Sequence, residues 1–90
     1  MSRMDKLSRK QLEKIARALS DIIFTYADDF SQAGIVEEFC RIGRKQLEVV
    51  VDMLTDTALA LLDAQATELF LRQYNIKDEE LLAIGFDVEV

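Results

Sequence analysis

Leu47-Glu48-Val49-Val50-Val51-Asp52-Met53-Leu54 leads into Thr55-Asp56-Thr57 and then Ala58-Leu59-Ala60-Leu61-Leu62, and the apolar character continues to Leu69-Phe70-Leu71. The fold turns on how this stretch is read. At helical spacing its apolar side chains cover nearly the whole circumference, so a helix here is expected to be buried on most sides. A single helix over residues 35–74 would be about 60 Å long at 1.5 Å per residue. That is too long for a compact chain of 90 residues. Thr55-Asp56-Thr57 is therefore read as a turn, with Thr55 or Asp56 capping the next helix, and the stretch as a helical hairpin.

Composition supports a helical reading of the rest. There is no proline, and glycine occurs only three times, at Gly34, Gly43 and Gly85. Helix breakers are thus scarce. Hydrophobic residues make up 50% of the chain, which argues against disorder, and its length allows one domain spanning 1–90. Residues 1–6 read as a frayed polar lead-in and 86–90 as an extended tail that pins Phe86.

Ser8 and Gln11 have the spacing of a capping box, and Leu7 and Leu12 that of a hydrophobic staple. They predict a helix over 9–28, with one apolar stripe through Leu12, Ile15, Ala16, Leu19, Ile22, Ile23 and Tyr26. A one-sided stripe suits an outer position. The second helix is expected over 33–54, passing through Gly43, with Ile35, Phe39, Ile42, Gln46, Val49, Val50 and Met53 on one side. The third is expected over 57–74, with Asn75 as a left-handed C-terminal residue and Ile76 packing back. Asp78 would cap a short helix over 79–84, closed by Gly85. The fold class is therefore all-α: a small antiparallel bundle of three main helices and a short C-terminal one.

The formal net charge is −6, unevenly placed. Residues 1–18 carry six basic and two acidic side chains, whereas residues 49–90 carry two basic and nine acidic ones. The acidic balance works against general nucleic-acid binding and favours a protein partner with a basic surface. There is no histidine, which removes the commonest general base and transition-metal ligand. The serines Ser2, Ser8, Ser20 and Ser31 therefore have no imidazole to activate them, and no enzyme activity and no cofactor are expected. Glu48, Asp52, Asp56 and Asp63 share one sector of a helical wheel, but without a Glu-x-x-His motif they read as a solvated side and not as a metal site. The single cysteine, Cys40, reads as a small core residue. No apolar leader follows the basic first residues, and no apolar run reaches the length of a membrane span, so a cytoplasmic location is expected.

More apolar surface is present than three short helices can hide. A homodimer covering Val36, Leu47, Val51, Leu59, Phe70 and Leu71 is the expected remedy. Phe24, off the stripe of the first helix, and the basic cluster Arg41, Arg44 and Lys45 are candidate contacts for a further partner. The functional expectation is a non-catalytic protein-binding module or regulator acting as a helical homo-oligomer. The alternative is a DNA-binding regulator, with a helix-turn-helix around Gly43 offering Arg44, Lys45 and Gln46 to the major groove.

Overall fold

Residues 3–27 and 41–87 are described by the structure, a computed structural model. Among them there is no strand; a 3-10 helix, Arg3–Lys6, precedes four α-helices. These are α1 (Arg9–Tyr26), α2 (Arg44–Leu61), α3 (Ala64–Gln73) and α4 (Asp78–Ala83). The Cα radius of gyration, 12.2 Å, matches the value of about 12 Å for a compact chain of this length.

The capping box at the start of α1 forms as expected. Ser8 Oγ accepts from Gln11 N–H at 3.2 Å, and Gln11 Oε1 accepts from Ser8 N–H at 2.7 Å. Residues 3–6 of the lead-in form an ordered 3-10 helix that packs against α4, with Met4, and Leu7 just after it, buried in the core. Two apolar anchors in a polar stretch outweigh its otherwise soluble character.

The helix expected over 33–54 begins instead at Arg44. Gly43 sits in extended conformation as its N-cap, and the segment before residue 41 lies outside the described residues. The turn expected at 55–57 is absent, and α2 runs straight through to Leu61. Both threonines are satisfied within the helix. Thr55 Oγ1 donates to the Val51 carbonyl at 2.7 Å and Thr57 Oγ1 to that of Met53 at 2.9 Å. Such back-bonding lets threonine sit inside a helix with no loss of a hydrogen bond. The real break is one turn later. Leu62 leaves helical conformation, and Asp63 caps α3, its Oδ1 accepting from Ala66 N–H at 2.7 Å.

Both later helices end in the same way. Asn75 has a positive φ of 64°, with Ile76 N–H bonded to Leu71 O and Asn75 N–H to Arg72 O. Gly85 has φ 102°, with Phe86 N–H bonded to Leu81 O and Gly85 N–H to Leu82 O. Each is a Schellman motif that satisfies carbonyls at a helix end and folds an apolar residue, Ile76 or Phe86, back into the core. The cap of α4 is one residue earlier than expected: Lys77 is the N-cap, and the Glu80 carboxylate accepts its backbone N–H at 3.4 Å.

Burial reverses the expected roles of the helices. α1 is the centre, packing against α2 and α3 and burying Leu12, Ile15, Ala16, Leu19, Ile22 and Ile23 together with Ala18 and Ser20. Small residues beside the main stripe let neighbouring elements approach it on more than one side. α2 buries a single stripe, Leu47, Val51, Leu54, Thr55 and Ala58. The expectation that a helix here is buried on most sides fails at Val49 and Met53, which are 56% and 64% exposed. Val50 is partly packed on the core.

An ion pair buried on its acidic side ties α1 to α4. Glu80, with 2% of its side chain exposed, meets Lys14 Nζ at 3.2 Å. The same ammonium donates to the Asn75 carbonyl at 3.1 Å. α1 is thereby linked to both the α3–α4 turn and the start of α4.

Candidate functional site

The core takes three of the residues expected at an oligomer interface. Leu47, Val51 and Leu71 are fully buried within the one chain, because they are the inward stripe of α2 and α3. Val36 lies outside the described residues. Leu59 is exposed, and Phe70 is half-buried. Phe70 stacks on Tyr74 at 5.5 Å between ring centroids and meets Tyr26 edge-on at 6.5 Å. This cluster joins the end of α1 to α3, with Tyr26 and Tyr74 at its outer rim.

The basic cluster is divided. Arg44 turns back on its own chain: its Nη2 donates to the carbonyls of Met4, at 2.8 Å, and of Leu7, while its Nε lies 3.5 Å from Glu48. Bound to the end of the 3-10 helix, it holds that element against the start of α2. Its guanidinium is thus largely engaged within its own chain. Arg41 and Lys45 are exposed, as is Phe24 on α1. A helix starts after Gly43, where the alternative reading needs the second helix of a helix-turn-helix. The first helix would fall on 35–40, outside the described residues, and the leading arginine is engaged internally.

The acids also separate. Glu48 pairs with Arg44, Asp63 is a helix cap, and Asp52 and Asp56 are exposed. Among the described residues, no group of three or more acidic or sulfur side chains is placed to hold a metal ion. Arg72 joins α3 to α4, with Nη1 2.8 Å from Asp78 Oδ1 and Nη2 3.3 Å from Glu68 Oε1. The hydrogen bond to Asp78 is the main cause holding this guanidinium above the ordinary arginine range, against some desolvation. A shallow groove lined by Leu59, Glu68, Arg72 and Phe86 runs beside it.

The outer side of α2 is a further surface feature; sequence reasoning grouped Gln46, Val49, Val50 and Met53 on one side without naming them as an interface. At 100° per residue, Gln46, Val49, Val50, Met53, Thr57 and Ala60 fill one sector about 100° wide. No charged side chain falls in it. Lys45, Glu48, Asp52 and Asp56 lie on one flank, and the buried stripe begins beyond the other. Completing the wheel around Leu47, Val51 and Leu54 instead of around Ile42 and Val49 would have marked it as the outward side. Leu69 is a further outward leucine on α3. Among the described residues no helix is long and apolar enough to cross a membrane. Comparison with protein-family models, with curated proteins and with solved structures finds no match to this chain.

Proposed function

We propose that the protein is a non-catalytic binding module that works as a homo-oligomer and contacts a second protein through its acidic half. The observation that carries this reading is an apolar surface left over once the core is complete. α1 and its neighbours close a continuous core, yet Val49 and Met53, one turn apart on the same side of α2, stay outside it. Exposed apolar side chains that share a face favour an interface over a solvated surface. Among the described residues, the first half of the chain exposes Asp5 and Asp21, and the second half Asp52, Asp56, Asp63, Asp78, Glu79 and Asp87. A basic partner surface would meet complementary charge there, which mainly sets specificity and on-rate.

Sedimentation equilibrium of the purified chain at micromolar concentration tests the oligomer. A mass of two or more protomers supports it, and a single protomer throughout overturns it. Affinity capture at low and raised salt tests the second contact. A basic protein that is lost as salt rises supports the acidic-half reading. Recovery only of proteins whose binding ignores salt overturns it.

A further inference from the structure

We propose that the uncharged face of α2 binds the same face of a second copy, with the two helices antiparallel and Lys45 of each against Asp56 of the other. This rests on the homo-oligomer reading above and adds the surface, the register and the orientation.

The spacing along the face fits helix pairing. Gln46, Val50, Met53, Thr57 and Ala60 follow one another at intervals of four, three, four and three residues. That alternation keeps a seam in line with a facing helix over two heptads. The seam spans about 21 Å at 1.5 Å per residue, most of the length of α2. Thr57 adds little polarity, because its hydroxyl is already bonded to the Met53 carbonyl. Ala60 at one end allows close approach of the helices.

Charge selects the orientation. Lys45 and Asp56 border the seam on the same flank, eleven residues apart. In an antiparallel pair like flanks face each other across the contact, so the basic start of one helix meets the acidic end of the other, twice by symmetry. A register with Val50 beside Met53 of the second copy brings Lys45 within about 3 Å, along the axis, of the level of Asp56. It also brings the two Asp52 side chains towards each other near the two-fold axis, farther out from the seam. A parallel pair would forgo the Lys45–Asp56 match.

The pairing predicts a pattern of dissociation constants, read by sedimentation equilibrium of the full-length variants. Lys45→Glu or Asp56→Lys alone weakens association about tenfold, because each exchanges two opposite-charge contacts for two like-charge ones. The double exchange restores most of it. Asp52→Asn tightens association by about threefold. Met53→Glu abolishes it, with an unchanged far-ultraviolet spectrum, since Met53 is outside the core. A dimer indifferent to Met53→Glu, or one in which the double exchange is no better than the single ones, overturns this pairing and leaves the homo-oligomer reading standing. A wild-type chain that is monomeric throughout overturns both.

Discussion

Lys14→Met is expected to destabilise the fold by about 2 kcal/mol. Glu80 is buried at the third position of α4 and carries a carboxylate. Its Oε1 accepts from Lys77 N–H and lies 3.3 Å from Lys14 Nζ; among the described residues Oε2 has only the ammonium, at 3.2 Å. With an effective dielectric constant near 20, the attraction at this separation is about 5 kcal/mol before the cost of desolvation. Removing one partner of a fully buried pair costs about 3–5 kcal/mol. Lys14 is 36% exposed, so water already screens its side of the pair, and about 2 kcal/mol is the discounted figure. In a domain this size that corresponds to a fall in Tm of about 10 °C. Glu80→Gln keeps an acceptor for Lys77 N–H and leaves the lysine reachable by water, so it should cost about 1 kcal/mol. Urea denaturation of the two single variants and the double variant closes a cycle, and the expected coupling is about 1 kcal/mol or more. An unshifted urea midpoint for Lys14→Met, or a coupling near zero, would refute the account of how α4 is held on α1.

Further outcomes follow from the same structure. Asp56→Pro should cost about 3 kcal/mol or more, because α2 is continuous there; a near-neutral effect would restore the turn at 55–57. Ser20→Ala should leave stability unchanged or raise it by up to about 1 kcal/mol, because the buried hydroxyl has no hydrogen-bond partner among the described residues; a clear loss in chemical denaturation would show that Ser20 is satisfied. Gly85→Ala should destabilise by about 1 kcal/mol from backbone strain alone, since φ is 102° and no atom lies within 4 Å of the added methyl position; Asn75→Gly, at φ 64°, should be neutral or stabilising. Truncation of residues 1–7 removes Met4, Leu7 and the carbonyls that Arg44 grips. It should lower the thermal midpoint by far more than loss of a frayed tail, which would leave that midpoint unmoved.

The parts of the fold legible in the sequence are those set by neighbours in the chain. Ser8 with Gln11, Asn75 with Ile76, and Gly85 with Phe86 each write a helix end within a few residues, and each forms as read. Thr55-Asp56-Thr57 misleads because threonine and aspartate are cap residues only when the backbone leaves the helix. Here both hydroxyls bond one turn back, and the helix continues to Leu61. Asp63 carried the better signal, with no competing acceptor and a new apolar period starting just after it.

Burial was less legible than helix ends. An apolar circumference shows which sides of α2 can be covered, and says nothing of how many neighbours exist to cover them. With α1 taking the centre, only the Leu47–Ala58 stripe finds partners, and Val49 and Met53 are left outside. The contacts that lock the ends also lie beyond local pattern: Lys14 reaches Glu80 across 66 positions, and Arg44 reaches the Met4 carbonyl across 40. The surplus of apolar surface was readable; its location depended on which helix became the hub.

The direct test of the central claim is paramagnetic broadening between copies. A nitroxide is placed at Gln46→Cys in a Cys40→Ser background, and this unlabelled-nitrogen chain is mixed with nitrogen-15-labelled wild type. An antiparallel seam along α2 predicts the strongest intermolecular broadening at the amides of Thr57 to Ala60, with little at Gln46. Broadening centred on Gln46 itself, or none at any concentration where the chain is folded, would contradict it.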